Sequence, residues 1–213
     1  MDLEGEMRSG GDNMSYESGE VWLARHGETQ WSEAGRHTGR TDLGLTEEGR
    51  RQAELLRERL AQRSFSLVLS SPLARAVETC KIAGYGDVAE VSGDLREWDY
   101  GEYEGLTSSQ IREKVAGWTI WKGDPAGGET IGQVADRARR VISRARDVKG
   151  DVILFSHGHL LRVLCARWLG LPADAGRLFA LGTASISILG YEHETPVISL
   201  WNHNWCVAPW ENS

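Results

Sequence analysis

The sequence predicts an α/β protein, a three-layer α/β/α sandwich around a mostly parallel central sheet. Three observations carry that prediction. Short apolar runs alternate with amphipathic helical stripes along the chain, the pattern of helices covering a sheet. The run DVILFS (151–156) is almost wholly apolar, as suits a central strand covered on both faces. The chain has 213 residues, of which 40% are hydrophobic and 26% charged, enough for one compact core and short for two.

The elements follow in order. VWLAR (21–25) reads as a buried strand that ends abruptly at His26-Gly27. Residues 27–45, rich in Gly, Thr and Arg, show no sustained period and read as a loop. Thr46 with Glu47 and Glu48 signals a helix start, a capping hydroxyl followed by acidic residues in the first turn. Ala53, Leu56 and Leu60 then share one face. SLVLSS (66–71) is the next strand, and Pro72 is placed at the first helical position. Leu73, Ala76, Val77 and Cys80 recur at helical spacing behind it. VAEV (88–91) reads as a third strand.

Residues 93–129 are aromatic and glycine-punctuated, with a short helix near 107–117. Thr130 and Gln133 form a capping box. The stripe behind it, from Ile131 through Val134, Ala138, Val141 and Ile142 to Ala145, is the clearest in the chain. DVILFS breaks at His157-Gly158 into the helix HLLRVLCARWLG, and SISIL (185–189) with VISLW (197–201) reads as an edge hairpin. No internal repeat is found. The domain is expected over residues 19–213, with residues 1–18 a disordered leader that lacks the apolar core of a secretion signal.

Charge and cysteine content narrow the function. The formal net charge is -7, so nothing global draws the chain to nucleic acid or anionic membranes. An anionic ligand must be held by a local cationic cluster. Cys80, Cys165 and Cys206 are odd in number and lack metal-ligand spacing, and the first two fall on apolar stripes. Buried free thiols favour a reducing compartment, and a cytoplasmic location is expected. No apolar run reaches the roughly 18 residues a membrane helix needs. The histidines and carboxylates do not fall at metal-ligand spacings, so no metal and no cofactor is expected. The tail NHNWCVAPWENS carries apolar anchors that could pack on the domain or on a partner, which leaves a homodimer open.

In a parallel sheet, ligands sit at the carboxyl ends of the strands. Unusual chemistry is found there. Arg25-His26-Gly27-Glu28-Thr29 closes the first strand, Ser70-Ser71-Pro72-Leu73 leads to Arg75 after the second, and Ser156-His157-Gly158-His159 closes the fourth. A histidine nucleophile needs one tautomer, exposure at a strand end and flanking cations. Arg25 supplies a guanidinium fork, and Gly27 permits a close backbone approach. Arg75 in the first turn of a helix adds a second cation beside a helix start. Each motif alone could be structural, but two strand-end His-Gly pairs in one sheet make that reading much weaker.

These motifs resemble the histidine phosphatase superfamily, from about Val21 to about Tyr191, with four separated motifs in the family's order. The resemblance implies a phosphoglycerate mutase-like fold and a phosphomonoesterase that forms a phosphohistidine on His26. It implies that Arg25, Arg75 and His157 grip the transferred phosphoryl group. The family's proton donor lies in a Leu-x-Glu string before a glycine, here Leu95-Arg96-Glu97, so Glu97 is assigned that role. Asp99, Glu102 and Glu104 are the competing carboxylates, with Glu104-Gly105 read as a structural end to the loop.

The resemblance also bears on reaction type. Phosphoglycerate mutases typically have Asn where Ser32 stands, and cations where Trp98 and Ser108 stand. They also carry a long basic insertion, whereas only about twenty residues separate Gly105 from Gly127 here. Without that lid, water should reach the phosphohistidine and hydrolysis should win. The stretch Trp98-Asp99-Tyr100-Gly101, followed by Trp118, Trp121 and Gly-Gly-Glu-Thr, is closest in look to the acid phosphatases and sedoheptulose-1,7-bisphosphatases. The expected substrate is therefore a small-molecule phosphate ester, such as a sugar bisphosphate. Expected binding residues are Gly27, Ser32, Thr38, Gly39, Tyr100 and Gly158. Arg36 and Arg40 are candidates for a second phosphate or are solvated. A mutase is the alternative reading, and a protein phosphatase or protein-binding scaffold the second.

Overall fold

The structure, a computed structural model, describes residues 19–204. The expected leader, Cys206 and most of the tail lie outside the described residues. Six strands form one sheet in the order β3-β2-β4-β1-β5-β6. Strand β1 (Val21–Arg25) runs parallel to β4 (Val152–Ser156), and β4 runs parallel to β2 (Leu67–Ser70). Strand β3 (Glu90–Val91) adds to the β2 edge, also parallel. On the other side β5 (Ile186–Glu192) and β6 (Thr195–His203) form an antiparallel hairpin. The parallel centre with an edge hairpin agrees with expectation.

Strand pleating separates two apolar layers, because successive side chains point to opposite faces. Val21, Leu23, Val152 and Leu154 pack with helices α5 (Ile131–Arg146) and α6 (Gly158–Trp168). Trp22, Ala24, Ile153 and Phe155 pack with helices α2 (Glu47–Leu60) and α3 (Ala74–Ile82). These are the three layers. The helices begin where capping chemistry places them: the Thr46 side chain accepts from the Gly49 amide, and Thr130 and Gln133 make a reciprocal box.

The structure corrects several boundaries. The third strand is only Glu90–Val91, with Val88 65% and Val91 64% exposed. It lies at the sheet edge, where only two residues pair and no layer covers the valines. Helix α3 begins at Ala74, so Pro72 stands two residues before its first turn. The Asp42 carboxylate accepts from the Ala74 amide at 2.7 Å, and this distant side chain marks the start. The loop 27–45 contains a short helix, α1 (Gln30–Glu33), nucleated by a Thr29–Ser32 capping box, a pair without the usual Glu or Gln. The expected helix near 107–117 is α4 (Ser108–Lys114), capped by Thr107 and Gln110.

One backbone crossing fixes the site's floor. A Cβ on Gly27 would collide with the Gly49 carbonyl, and one on Gly49 with the Glu28 carbonyl. Two glycines therefore let the start of α2 press against the loop leaving β1.

Candidate active site

The carboxyl ends of β1 and β4 open onto a cavity of about 180 Å³. Its walls include Arg25, His26, Ser32, Thr38, Glu97, Tyr100 and Gly158 from the expected set. Arg36, His37, His159 and Arg162 complete its polar lining.

His26 continues the β1 register, its amide donating to the Ser156 carbonyl at 2.9 Å. The imidazole Nδ1 lies 2.7 Å from the Gly27 carbonyl, which can only accept, so Nδ1 carries the proton. That leaves the Nε2 lone pair for the cavity. Burial, reinforced by the charges of Arg25 and Arg75, holds the His26 pKa well below its ordinary value. The ring is thus neutral at neutral pH, the state a nucleophile requires.

Arg25 donates from Nη1 to the Leu181 carbonyl at 2.5 Å, while its buried Nε has no hydrogen-bond partner. A buried guanidinium N–H left unpaired is costly, and an incoming phosphoryl oxygen would satisfy it. Desolvation lowers the Arg25 pKa, with Glu97 opposing it.

Arg75 and His157 stand behind His26 rather than on the cavity wall, both fully buried. Arg75 donates from Nη1 to the Thr41 carbonyl and from Nη2 to those of Thr38 and Gly39. Its Nε donates to His157 Nδ1 at 3.2 Å, so His157 carries its proton on Nε2 and donates to Ser71 Oγ at 2.7 Å. The His157 ring centroid is 5.2 Å from that of His26. Burial and Arg75 hold the His157 pKa well below its ordinary value. Thr79 Oγ joins the two loops, accepting from the Gly27 amide and donating to the Arg75 carbonyl.

Glu97 is the one carboxylate lining this cavity among the described residues. It caps α6 from outside: Oε1 accepts from the Leu160 amide and Oε2 from the His159 amide, at 2.9 and 3.0 Å. The formal N-cap residue, His157, makes no side-chain cap bond. The competing carboxylates are occupied elsewhere. Asp99 pairs with Arg40 at 2.6 Å, and Glu104 Oε1 accepts from the Gly39 and Thr41 amides. Glu102 is exposed on its loop.

The remaining expected residues fall into distinct places. Ser32 lines the cavity but also closes the Thr29 capping box. Gly39 is pressed against the Trp98 carbonyl, the Glu104 carboxylate and the Tyr100 ring, with no room for a Cβ. Arg40 is 76% exposed and faces a neighbouring cleft, whereas Arg36 lines the main cavity and donates to the Gly105 carbonyl. Trp118 is buried against His37 and Tyr103, and Trp121 packs on Trp98 and His159, so both build the wall from behind. Cys80 and Cys165 are buried free thiols with pKa values pushed up to about 12 by burial.

Sequence reasoning missed two polar groups of the cavity wall. His159 and Arg162 lie at i and i+3 on α6, two polar residues amid the apolar HLLRVLCA, and that spacing was the available signal. It also missed the brace beneath Glu97. Arg137 donates to the carbonyls of Asp94, Arg96 and Glu97 and pairs with Glu129 at 2.7 Å. Among the described residues no group of three or more His, Cys, Asp or Glu is placed to hold a metal, and no helix is long and apolar enough to cross a membrane.

Comparison with known proteins bears on the family and the fold. The family model of the histidine phosphatase superfamily (branch 1) matches residues 21–204. An acid phosphatase of Mycobacterium tuberculosis is 44% identical over 202 residues, covering 92% of this chain and 99% of that protein. A sedoheptulose 1,7-bisphosphatase of Saccharomyces cerevisiae is 33% identical, covering 70% and 67%. A probable phosphoglycerate mutase of Cronobacter sakazakii is 34% identical, covering 85% and 89%. A solved Mycobacterium tuberculosis structure superposes with a TM-score of 0.84 at 43% identity, covering 87% of this chain and 98% of that one.

Proposed function

This chain belongs to the histidine phosphatase superfamily and is a phosphomonoester hydrolase; from that premise we propose that it cleaves small phosphorylated metabolites through a phosphohistidine on His26, without a metal. The observation that carries this reading is the His26 ring itself. Its Nδ1–H is held by the Gly27 carbonyl and its Nε2 is left free in a cavity containing an unpaired Arg25 N–H and one carboxylate.

In the first half-reaction Nε2 attacks phosphorus and the ester P–O bond breaks. The protonated Glu97 carboxyl gives its proton to the departing oxygen. In the second, Glu97 takes a proton from a water that attacks phosphorus, and the P–N bond breaks with its electron pair returning to Nε2. Arg25 neutralises the phosphoryl oxygens from the cavity wall. Arg75 keeps His157 in one tautomer and anchors the loop of Thr38, Gly39 and Thr41 through their carbonyls.

Hydrolysis is favoured over mutase chemistry because the positions expected to carry cations are otherwise engaged. The Trp98 indole donates to the Glu129 carbonyl, and Ser108 Oγ lies 3.1 Å from His37 Nε2. Neither position offers a cation for a substrate carboxylate. The named activities of the relatives support sugar phosphates as substrates, and the buried free thiols support a cytoplasmic setting. The likeness to a probable phosphoglycerate mutase keeps that activity as the second reading.

The test is mapping of the acid-labile, alkali-stable phosphohistidine after a rapid alkaline quench, alongside phosphate release in EDTA. We expect the label on His26, turnover unaffected by chelation, and less than about 1% activity in His26→Ala, since a lost nucleophile removes the covalent route. Label on another residue, or chelator-sensitive turnover, would overturn the mechanism. Conversion of 3- to 2-phosphoglycerate without phosphate release would establish the mutase reading.

A further inference from the structure

Arg25 faces the phosphoryl seat, yet what holds it comes from the far edge of the sheet. Its Nη1 donates to the Leu181 carbonyl at 2.5 Å, and Leu181 lies in residues 179–185, which form neither helix nor strand. A long side chain that must present one unpaired N–H in a fixed direction needs a rigid acceptor, because free rotamers would scatter it. The downstream end of this loop is fixed by ladder-like bonds. The Ala184 amide donates to the His26 carbonyl at 3.0 Å, and the Arg25 amide to the Ser185 carbonyl at 3.2 Å. Leu181 lies upstream of those bonds and needs a hold of its own.

Strand β6 supplies it. The Trp201 indole Nε1 donates to the Ala180 carbonyl at 2.5 Å, and Asn202 Oδ1 accepts from the Gly182 amide at 2.7 Å. Two consecutive side chains thus grip the residues on either side of Leu181. In a regular strand they would point to opposite faces. Here a bulge intervenes: Ile186 pairs with His203 but Ile188 with Leu200, so β6 carries one residue more than β5 between these pairs. Asn202 sits in that bulge at φ +53°, a left-handed conformation that asparagine tolerates better than most residues. Its amide donates to Ser187 Oγ at 2.9 Å instead of to a strand carbonyl. The Trp201 ring packs on Phe179 at the start of the same loop, with centroids 5.2 Å apart.

We propose that Trp201 and Asn202 are positioning residues for the reaction. They clamp Ala180 and Gly182 so that the Leu181 carbonyl holds Arg25 Nη1, which keeps Arg25 Nε turned towards the transferred phosphoryl group. The inference rests on the reading of Arg25 as the cation on that group. Neither Trp201 nor Asn202 lines the cavity, so neither touches substrate and their effect passes through Arg25.

A double-mutant cycle tests this, read as kcat/KM for an aryl phosphate, whose leaving group needs no proton. Asn202→Gly keeps the left-handed backbone and removes Oδ1, while Trp201→Phe keeps a ring against Phe179 and removes the N–H. Each should lower kcat/KM about tenfold, since a misdirected charge stabilises the transition state less. Asn202→Asp retains an acceptor and tolerates the same φ, so it should recover most of the activity. In an Arg25→Lys background no guanidinium joins Leu181 to the phosphoryl group, and the same substitutions should cost less than about twofold. A merely structural loosening of the edge hairpin would cost as much there as in the parent. Such additive losses, or full activity in both single variants, overturn the clamp. Circular dichroism and thermal melts establish folding, and Trp201→Phe completes the cycle if Asn202→Gly unfolds. Phosphohistidine found away from His26 would instead overturn the mechanism above, so the two failures are told apart.

Discussion

At the scale of single residues the chemistry turns on which nitrogen or oxygen is left unpaired. Glu97 accepts two amides at the start of α6 and one from Trp98, so it is held rigidly at the cavity edge. Its proposed work is proton transfer to the departing oxygen, which an activated aryl leaving group does not need. Glu97→Gln should therefore slow an alkyl phosphate about 10²–10⁴-fold while an aryl phosphate loses far less. Steady-state kcat on the two substrates measures this, and equal losses would assign Glu97 to binding or to capping alone. Much of this was legible in the sequence. Strand-end histidines followed by glycine are rare enough to draw notice, and Leu95-Arg96-Glu97 carried the family's string. His159 and Arg162 were not legible, because a polar residue on a helix declares no direction until Tyr100 and Trp121 are placed around it.

Elements place these residues, and the most demanding placement is that of the loop bearing Glu97. Residues 94–99 have no strand or long helix to hold them. Arg137 of α5 supplies the order instead, gripping the carbonyls of Asp94, Arg96 and Glu97 and the Glu129 carboxylate, which in turn accepts from the Asp99 amide. A lysine retains the charge but cannot fork between four acceptors. Arg137→Lys should lower kcat on alkyl phosphates about tenfold, with KM little changed and aryl phosphates less affected, since only proton delivery is misplaced. Parallel losses on both substrates would mean a merely structural brace. This network explains where sequence reading stopped. Helices α2 and α5 announced themselves through Thr46 and Thr130, whose caps are local. The start of α3 depends on Asp42 and the α6 cap on Glu97, partners 32 and more than 60 residues away. Strand β3 failed for the opposite reason: VAEV has strand-like composition, but only two of its residues find a ladder.

For the whole molecule, the consequence is a tension between acid chemistry and acid stability. Burial holds His26, His157 and His159 well below the ordinary imidazole pKa, and His37 down to about 4. In the unfolded chain each would take a proton as pH falls through about 6.5. The unfolded state then binds more protons than the folded one, so stability is full above about 6.5 and declines as pH drops below it. For His37 the decline ends near pH 4, and for the other three it continues lower. Each histidine contributes at most about 1.4 kcal/mol per pH unit across its window. The melting temperature should accordingly fall steadily from pH 7 to pH 5, before most carboxylates begin to protonate. Turnover per folded molecule should not follow it, because a neutral His26 keeps its Nε2 lone pair throughout that range. Thermal melts and initial rates at matched pH separate the two curves, and His37→Gln should flatten the melting profile by up to one proton's slope. A melting temperature that stays level between pH 7 and 5 would mean that the imidazoles accept protons in the folded state. In that case the acid limb of activity would belong to His26 itself rather than to loss of the fold.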